Sequence, residues 1–169
     1  MNNNLIITIG REYGTGGREI GQKLALRLGV PFYDRELITR AAKKTGFDEK
    51  LFEQLDKRAT NSFLYSLTMF GSVGLNGMSL TDQLYLAQSN IIREMAEDSS
   101  CVIVGRCADH VLRDFPNKFD FFIHGSIEDR VKRVQTCGDY VIEGKTPEAA
   151  LEKMDKQPYF NPHSVWAAS

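Results

Sequence analysis

Residues 7 to 34, ITIGREYGTGGREIGQKLALRLGVPFYD, pass from an apolar, β-branched run into a cluster of glycines and then into an apolar stripe of helical period. The run over residues 5 to 9 reads as a strand, and Gly17, Ile20, Leu24 and Leu28 keep the spacing of one helix face that Gly29 then stops. Between them lie Gly10, Gly14, Gly16 and Gly17. Glycine in such a connection lets successive N–H groups converge on an anion at the positive end of the helix. A tight strand-to-helix turn with no ligand is the plainer reading of the same residues.

The unit then repeats. Residues 30 to 33 predict a second strand, residues 35 to 44 a second helix ending at Gly46, and residues 48 to 57 a third helix. Residues 59 to 80 turn polar and carry Gly71, Gly74 and Gly77, which reads as an excursion from the core. Ser79 or Thr81 can cap the helix that carries Leu84, Ile91, Ile92 and Met95, and apolar strands follow at 101 to 104 and 119 to 124. Ser126 caps the amphipathic IEDRVKRVQ, and Thr146 followed by Pro147 opens the last helix. This alternation predicts an α/β fold with a parallel sheet, helices on both faces and a ligand site at the carboxyl ends of the strands. There is no internal repeat and no low-complexity segment.

Length and charge narrow the function. At 169 residues the chain suits a single domain with its own core, and a net charge of −1 gives no reason to expect nucleic acid or an anionic membrane as partner. Affinity for an anion must therefore come from a local site. Cys101, Cys107 and Cys137 show no CxxC spacing, no signal-peptide pattern is present, and no apolar run approaches the roughly 20 residues that span a bilayer. A reducing cytoplasm is the expected location. His110, His124 and His163 are scattered, so no metal site is assigned to them.

Two phosphate-loop patterns can be tested on the glycines. The dinucleotide pattern GxGxxG, begun at Gly14 and Gly16, fails at Glu19, which disfavours a nicotinamide enzyme. The pattern GxxxxGK[ST], with Gly16 as its second glycine, finds Arg11 at its first glycine, Gly17 at its lysine and Arg18 at its hydroxyl residue. A charge and a magnesium ligand are thereby lost from their usual places. Arg18 is the candidate to restore the charge, and Thr15 offers a hydroxyl.

Three further stretches follow in order: GVPFYDRELITR (29 to 40), VIVGRCADHVL (102 to 112) and FFIHGSIEDRVKRV (121 to 134). With the glycine loop, they make the chain, over about residues 5 to 157, resemble the cytidylate kinase-like family of P-loop nucleoside-monophosphate kinases. The resemblance implies a three-layer P-loop kinase fold, ATP and Mg2+ as cofactors, and a nucleoside monophosphate, CMP or dCMP, as acceptor. By position it assigns ATP to Gly14, Thr15, Gly16, Gly17 and Arg18, and places Arg130 and Arg133 near the lid that closes over it. Asp34, Arg40, Arg106 and Asp109 fall at acceptor-binding positions, and Arg18, Arg40 and Arg106 at catalytic ones. Arginine suits these places physically, because its planar fork matches phosphate oxygens. Each residue also has a plainer reading: a helix N-cap for Asp34, a solvated helix-face charge for Arg40, Arg130 and Arg133, a loop ion pair for Arg106, and a first-turn helix charge for Asp109.

On this reading residues 1 to 169 form one kinase-like domain: 5–46 the phosphate-loop unit and start of the acceptor site, 47–80 an acceptor-binding arm, 81–134 the core, 135–157 a partial lid and 158–169 an atypical tail. Two departures stand out. Val104 precedes Gly105 where many such kinases carry an acid for magnesium, leaving Glu12 and Asp34 as the nearby acids. Asp155 and Lys156 match the start of the lid motif, but the uncharged tail PYFNPHSVWAAS takes over where arginines, a final strand and a helix are expected. A truncation or a shifted reading frame is the expectation there. The final strand of the sheet would then be missing, and the exposed edge would offer a route to self-association. Two rivals to an active nucleotide kinase remain: a non-catalytic nucleotide- or phosphate-binding protein on the same fold, and a kinase of another small molecule.

Overall fold

In a computed structural model of the chain, residues 3–34, 80–137 and 146–155 are described. The helices expected over 35 to 44 and 48 to 57, the excursion up to residue 79, Arg40 and the tail lie outside them. The elements in chain order are β1 (Ile6–Arg11), α1 (Gly17–Leu28), β2 (Phe32–Tyr33), α2 (Leu80–Asp98), β3 (Cys101–Val104), α3 (Ala108–Val111), β4 (Lys118–Ile123), α4 (Ile127–Thr136) and α5 (Pro147–Asp155). The strands form one parallel sheet in the order β2-β3-β1-β4.

β3 is the strand most completely enclosed, with all four residues at 0% exposure. An unbroken apolar run such as CVIV is what a strand covered on both faces requires. Each of its larger side chains contributes about 1.5–3 kcal/mol on burial. On one face Ile7, Ile9, Val102 and Val104 pack with Ala25 of α1 and with Leu24 and Phe32. On the other Ile6, Cys101 and Ile103 pack with Ile92 and Ala96 of α2 and with Ala108, Val111 and Leu112 at α3. The expected arrangement of helices on both faces of a parallel sheet is thus present.

Local signals set the ends of the helices. Gly29 sits at φ 67°, and the N–H groups of Gly29 and Val30 turn back to the carbonyls of Leu26 and Ala25. That double return satisfies the last carbonyls of α1 and needs a left-handed residue, which glycine adopts freely. The Ser126 hydroxyl accepts the Asp129 N–H at 3.2 Å and the Thr146 hydroxyl accepts the Ala149 N–H at 3.2 Å, so both expected caps form. α2 begins at Leu80, directly after Ser79.

Two boundaries differ from the sequence expectation. β1 runs on to Arg11 because Gly10 and Arg11 pair with Phe122 and Ile123 of β4, a long-range partnership that local pattern does not reveal. β2 contracts to two residues paired with Val102 and Ile103. β4 stands at the end of the strand order, and α1 packs over β3, β2 and β1. Phe119, Phe121 and Phe122 of β4 are therefore 53%, 52% and 41% exposed. Among the described residues there is no fifth strand, and no helix is long and apolar enough to cross a membrane.

Candidate anion-binding site

The carboxyl ends of three strands are tied together. The Glu12 N–H donates to the Ile123 carbonyl at 3.0 Å and the Gly105 N–H to the Ile9 carbonyl at 2.9 Å, which joins β1 to both neighbours just where the chain leaves the sheet. The glycine loop starts there. Gly14 at φ 83° and Gly16 at φ 77° occupy the left-handed region, and Gly16 caps α1 without a side chain. The Thr15 hydroxyl donates back to the Glu12 carbonyl at 2.8 Å. A helix N-terminus with no side-chain cap, presented by glycines at the end of a central strand, is the geometry that accepts a phosphate.

α4 lies across this loop through one i, i+3, i+4 stripe. A Cβ on Gly14 would stand 3.0 Å from the Val134 methyl and 3.1 Å from the Arg130 carbonyl, and one on Gly16 about 2.6 Å from the Arg133 guanidinium. Both positions thus lack a side chain for two reasons, backbone conformation and the helix above. Arg133 also pairs with Glu19 in the first turn of α1. The Glu19 carboxyl is held below its ordinary range, first by its hydrogen bond with Lys23 and then by the charges of Lys23 and Arg133.

Arg130 is only 4% exposed and is engaged by protein groups. Its Nε donates to the Tyr13 carbonyl at 2.7 Å, Nη2 meets Asp155 Oδ2 at 2.6 Å and Nη1 stands 3.4 Å from Glu12 Oε2. Its place is between the start of the loop and α5. Arg133 reaches the loop itself.

Arg18 and Asp34 meet, Nε to Oδ2 at 2.7 Å. Asp34 is buried at the end of β2, whereas the Arg18 side chain is about half exposed, so the pair contributes on the order of 1 kcal/mol. The first turn of α1 and the end of β2 are thereby brought together.

After β3 the backbone turns through three successive left-handed residues, Gly105 at φ 76°, Arg106 at 62° and Cys107 at 51°. For the two non-glycines this costs about 1–2 kcal/mol each. Arg106 is 9% exposed, so its position is set by the fold rather than by solvent. Asp109 lies in the first turn of the short α3 and is exposed, while its carbonyl accepts the Lys118 ammonium at 2.7 Å. Burial, then the Asp109 carboxylate, pushes the Cys107 thiol up, against the pull of Arg106.

One residue that the sequence reading did not select is Arg11. Its stem lies against Gly17, where a Cβ would come within 2.8 Å of Arg11 Cβ, and its guanidinium lies against Gly105. Two glycines on separate elements make room for one arginine between the start of α1 and the turn after β3. The signal available in the sequence was an arginine directly after the first glycine of the loop. The second glycine, 94 positions on, has no sequence link to it.

The donor set fits a polyphosphate: glycine N–H groups at a helix end with arginines beside them. It does not build a metal centre, since among the described residues no three His, Cys, Asp or Glu side chains converge on a common point. All three cysteines are free.

Comparison with known proteins agrees with this geometry. A crystal structure of an uncharacterized protein from Eubacterium ventriosum is 33% identical, covering 91% of this chain and 73% of that one with a TM-score of 0.59. The shikimate kinase from Bacteroides thetaiotaomicron matches at 15% identity over 97% of this chain and 82% of its own, TM-score 0.52. The shikimate kinase from Acinetobacter baumannii in complex with shikimate matches at 14% over 93% and 77%, TM-score 0.50. At such identities these two establish the shared P-loop kinase fold alone. No curated protein matches the chain. The model of the cytidylate kinase-like family matches residues 6–158, and the chain belongs to that family.

Proposed function

We propose that the protein transfers the terminal phosphoryl group of ATP to a nucleoside monophosphate, with CMP or dCMP as the favoured acceptor. The observation that carries the proposal is the N-terminus of α1, which has no side-chain cap, is reached through Gly14 and Gly16 in left-handed conformations and carries Arg18 in its first turn. Phosphoryl transfer asks little covalent chemistry of a protein; it asks that two phosphates be aligned and that developing charge be neutralised. In this chain the N–H groups of the loop hold the donor phosphates. Arg18 supplies the cation that the missing loop lysine would have supplied. Arg106 and Arg40 hold the acceptor phosphate, with Asp34 and Asp109 on the acceptor side. Magnesium would shield the phosphate charges, and such an ion usually keeps several waters and takes most of its other ligands from the phosphates.

The test is conversion of ATP to ADP with magnesium in the presence of CMP, dCMP, UMP, AMP or no acceptor. Turnover dependent on CMP or dCMP is expected. The absence of turnover with every acceptor would sink the kinase reading for this chain.

A second reading, non-catalytic binding of nucleotide or phosphate, is favoured by Gly17 at the loop's lysine position and by Val104 where an acid is expected at the end of β3. Arg18→Ala separates the two. A loss of roughly 100-fold or more in kcat/KM with nucleotide still bound supports transfer. A change in affinity alone, with no turnover to lose, supports binding. Adding shikimate to the acceptor panel addresses the third alternative, a kinase of a small hydroxylated molecule.

A further inference from the structure

The two residues between β1 and the glycines are held from every side. The Tyr13 carbonyl accepts Arg130 Nε at 2.7 Å, and its N–H points to Asp155 Oδ1 at 3.4 Å. The other oxygen of Asp155 meets Arg130 Nη2 at 2.6 Å, so one carboxylate and one guanidinium grip both polar groups at Tyr13 and also each other. Glu12 is fixed likewise: its N–H by Ile123, its carbonyl by Thr15, and its carboxylate by the Gly125 N–H at 3.1 Å and by Arg130. Gly14 then begins directly beneath the Arg130 carbonyl.

The direction in which the N–H groups of residues 14 to 17 point follows from where Glu12 and Tyr13 sit. We propose that Arg130 and Asp155 are positioning residues for the phosphate loop, through which α5, the last described helix, sets the loop's geometry. Neither needs to touch the ligand. Arg130 is buried, and the Asp155 charge is matched to it. The guanidinium fork matters because Tyr13, Glu12 and Asp155 are served by three separate nitrogens of one rigid plane, whereas an ammonium presents its three donors from a single nitrogen. Preorganised N–H donors bind an anion more tightly than mobile ones, since their ordering is not charged to binding. The inference rests on the reading that the loop binds phosphate, but not on turnover.

The experiment compares wild type, Asp155→Ala and Arg130→Lys by titration calorimetry with tripolyphosphate, and by amide hydrogen exchange under native conditions. For Asp155→Ala we expect exchange at residues 13 to 17 to accelerate at least tenfold while β1 and β3 keep their protection, with tripolyphosphate affinity falling about five- to tenfold. Arg130→Lys, which keeps the charge and loses the fork, should give the same pattern. Loop exchange and affinity unchanged in Asp155→Ala would overturn the proposal. So would acceleration spread evenly over β1, β3 and the loop, which marks a residue that merely stabilises the fold. Should Arg130→Lys fail to fold, Asp155→Ala decides alone. A chain that transfers no phosphoryl group yet binds tripolyphosphate defeats the kinase reading and leaves this one standing.

Discussion

A methyl group is enough to disturb the site at Gly14. The residue sits at φ 83°, and an added Cβ would press on the Arg130 carbonyl and the Val134 methyl. The left-handed conformation alone costs an L-residue about 1–2 kcal/mol, and neither neighbour can swing aside, one being backbone and the other buried. Gly14→Ala should therefore lower stability by about 2–3 kcal/mol, read from the urea midpoint, and weaken tripolyphosphate binding more than any surface substitution does. Cys101 carries a second expectation at this scale. Burial pushes its thiol up to about 11 from the ordinary 9.0. Between those values the unfolded chain has released the proton and the folded chain keeps it, so stability is full below pH 9 and falls as pH rises toward 11, by up to about 2 kcal/mol. Urea midpoints at pH 8 and pH 10.5 under reducing conditions should show wild type losing more than Cys101→Ala; parallel losses would assign the pH dependence elsewhere.

Helix α1 and strand β3 meet through Gly21, and here two elementary effects oppose each other. Alanine in a helix interior is favoured over glycine by about 1 kcal/mol. A Cβ at Gly21, however, would lie 2.7 Å from a Val104 methyl and 3.1 Å from Phe32 Cε2. Val104 is fully buried, so it has nowhere to go, and overpacking of this kind costs about 1–3 kcal/mol. Gly21→Ala should come out destabilising by about 1 kcal/mol in thermal unfolding, and Val104→Ala in the same chain should reverse part of that loss. This is also the scale at which sequence pattern succeeds and then stops. β1, β3, α1 and the caps at Ser126 and Thr146 are legible because apolar period and capping residues are local. The two-residue length of β2 and the extension of β1 over Gly10 and Arg11 depend on partners far along the chain. The site divides in the same way: the glycine loop announces itself and Arg130 is a candidate from sequence, whereas Arg11 between two glycines, and the contacts of Arg130 with Glu12, Tyr13 and Asp155, become visible only once the elements are stacked together.

Across the whole molecule the strand order β2-β3-β1-β4 places the earliest strand between two late ones, with Ile6 opposite Cys101 on one side and Lys118 on the other. Pairings of that sequence separation slow folding, because loop closure is opposed by entropy before the contacts it allows can form. On the ribosome the arrangement becomes a matter of time. Synthesis at about 5–20 residues per second means that β1 emerges roughly 5–20 s before either of its neighbours has been made. The strand that anchors the phosphate loop is thus the first to be born and among the last to find company, and through that interval its apolar residues are a natural target for the chaperones that meet nascent chains.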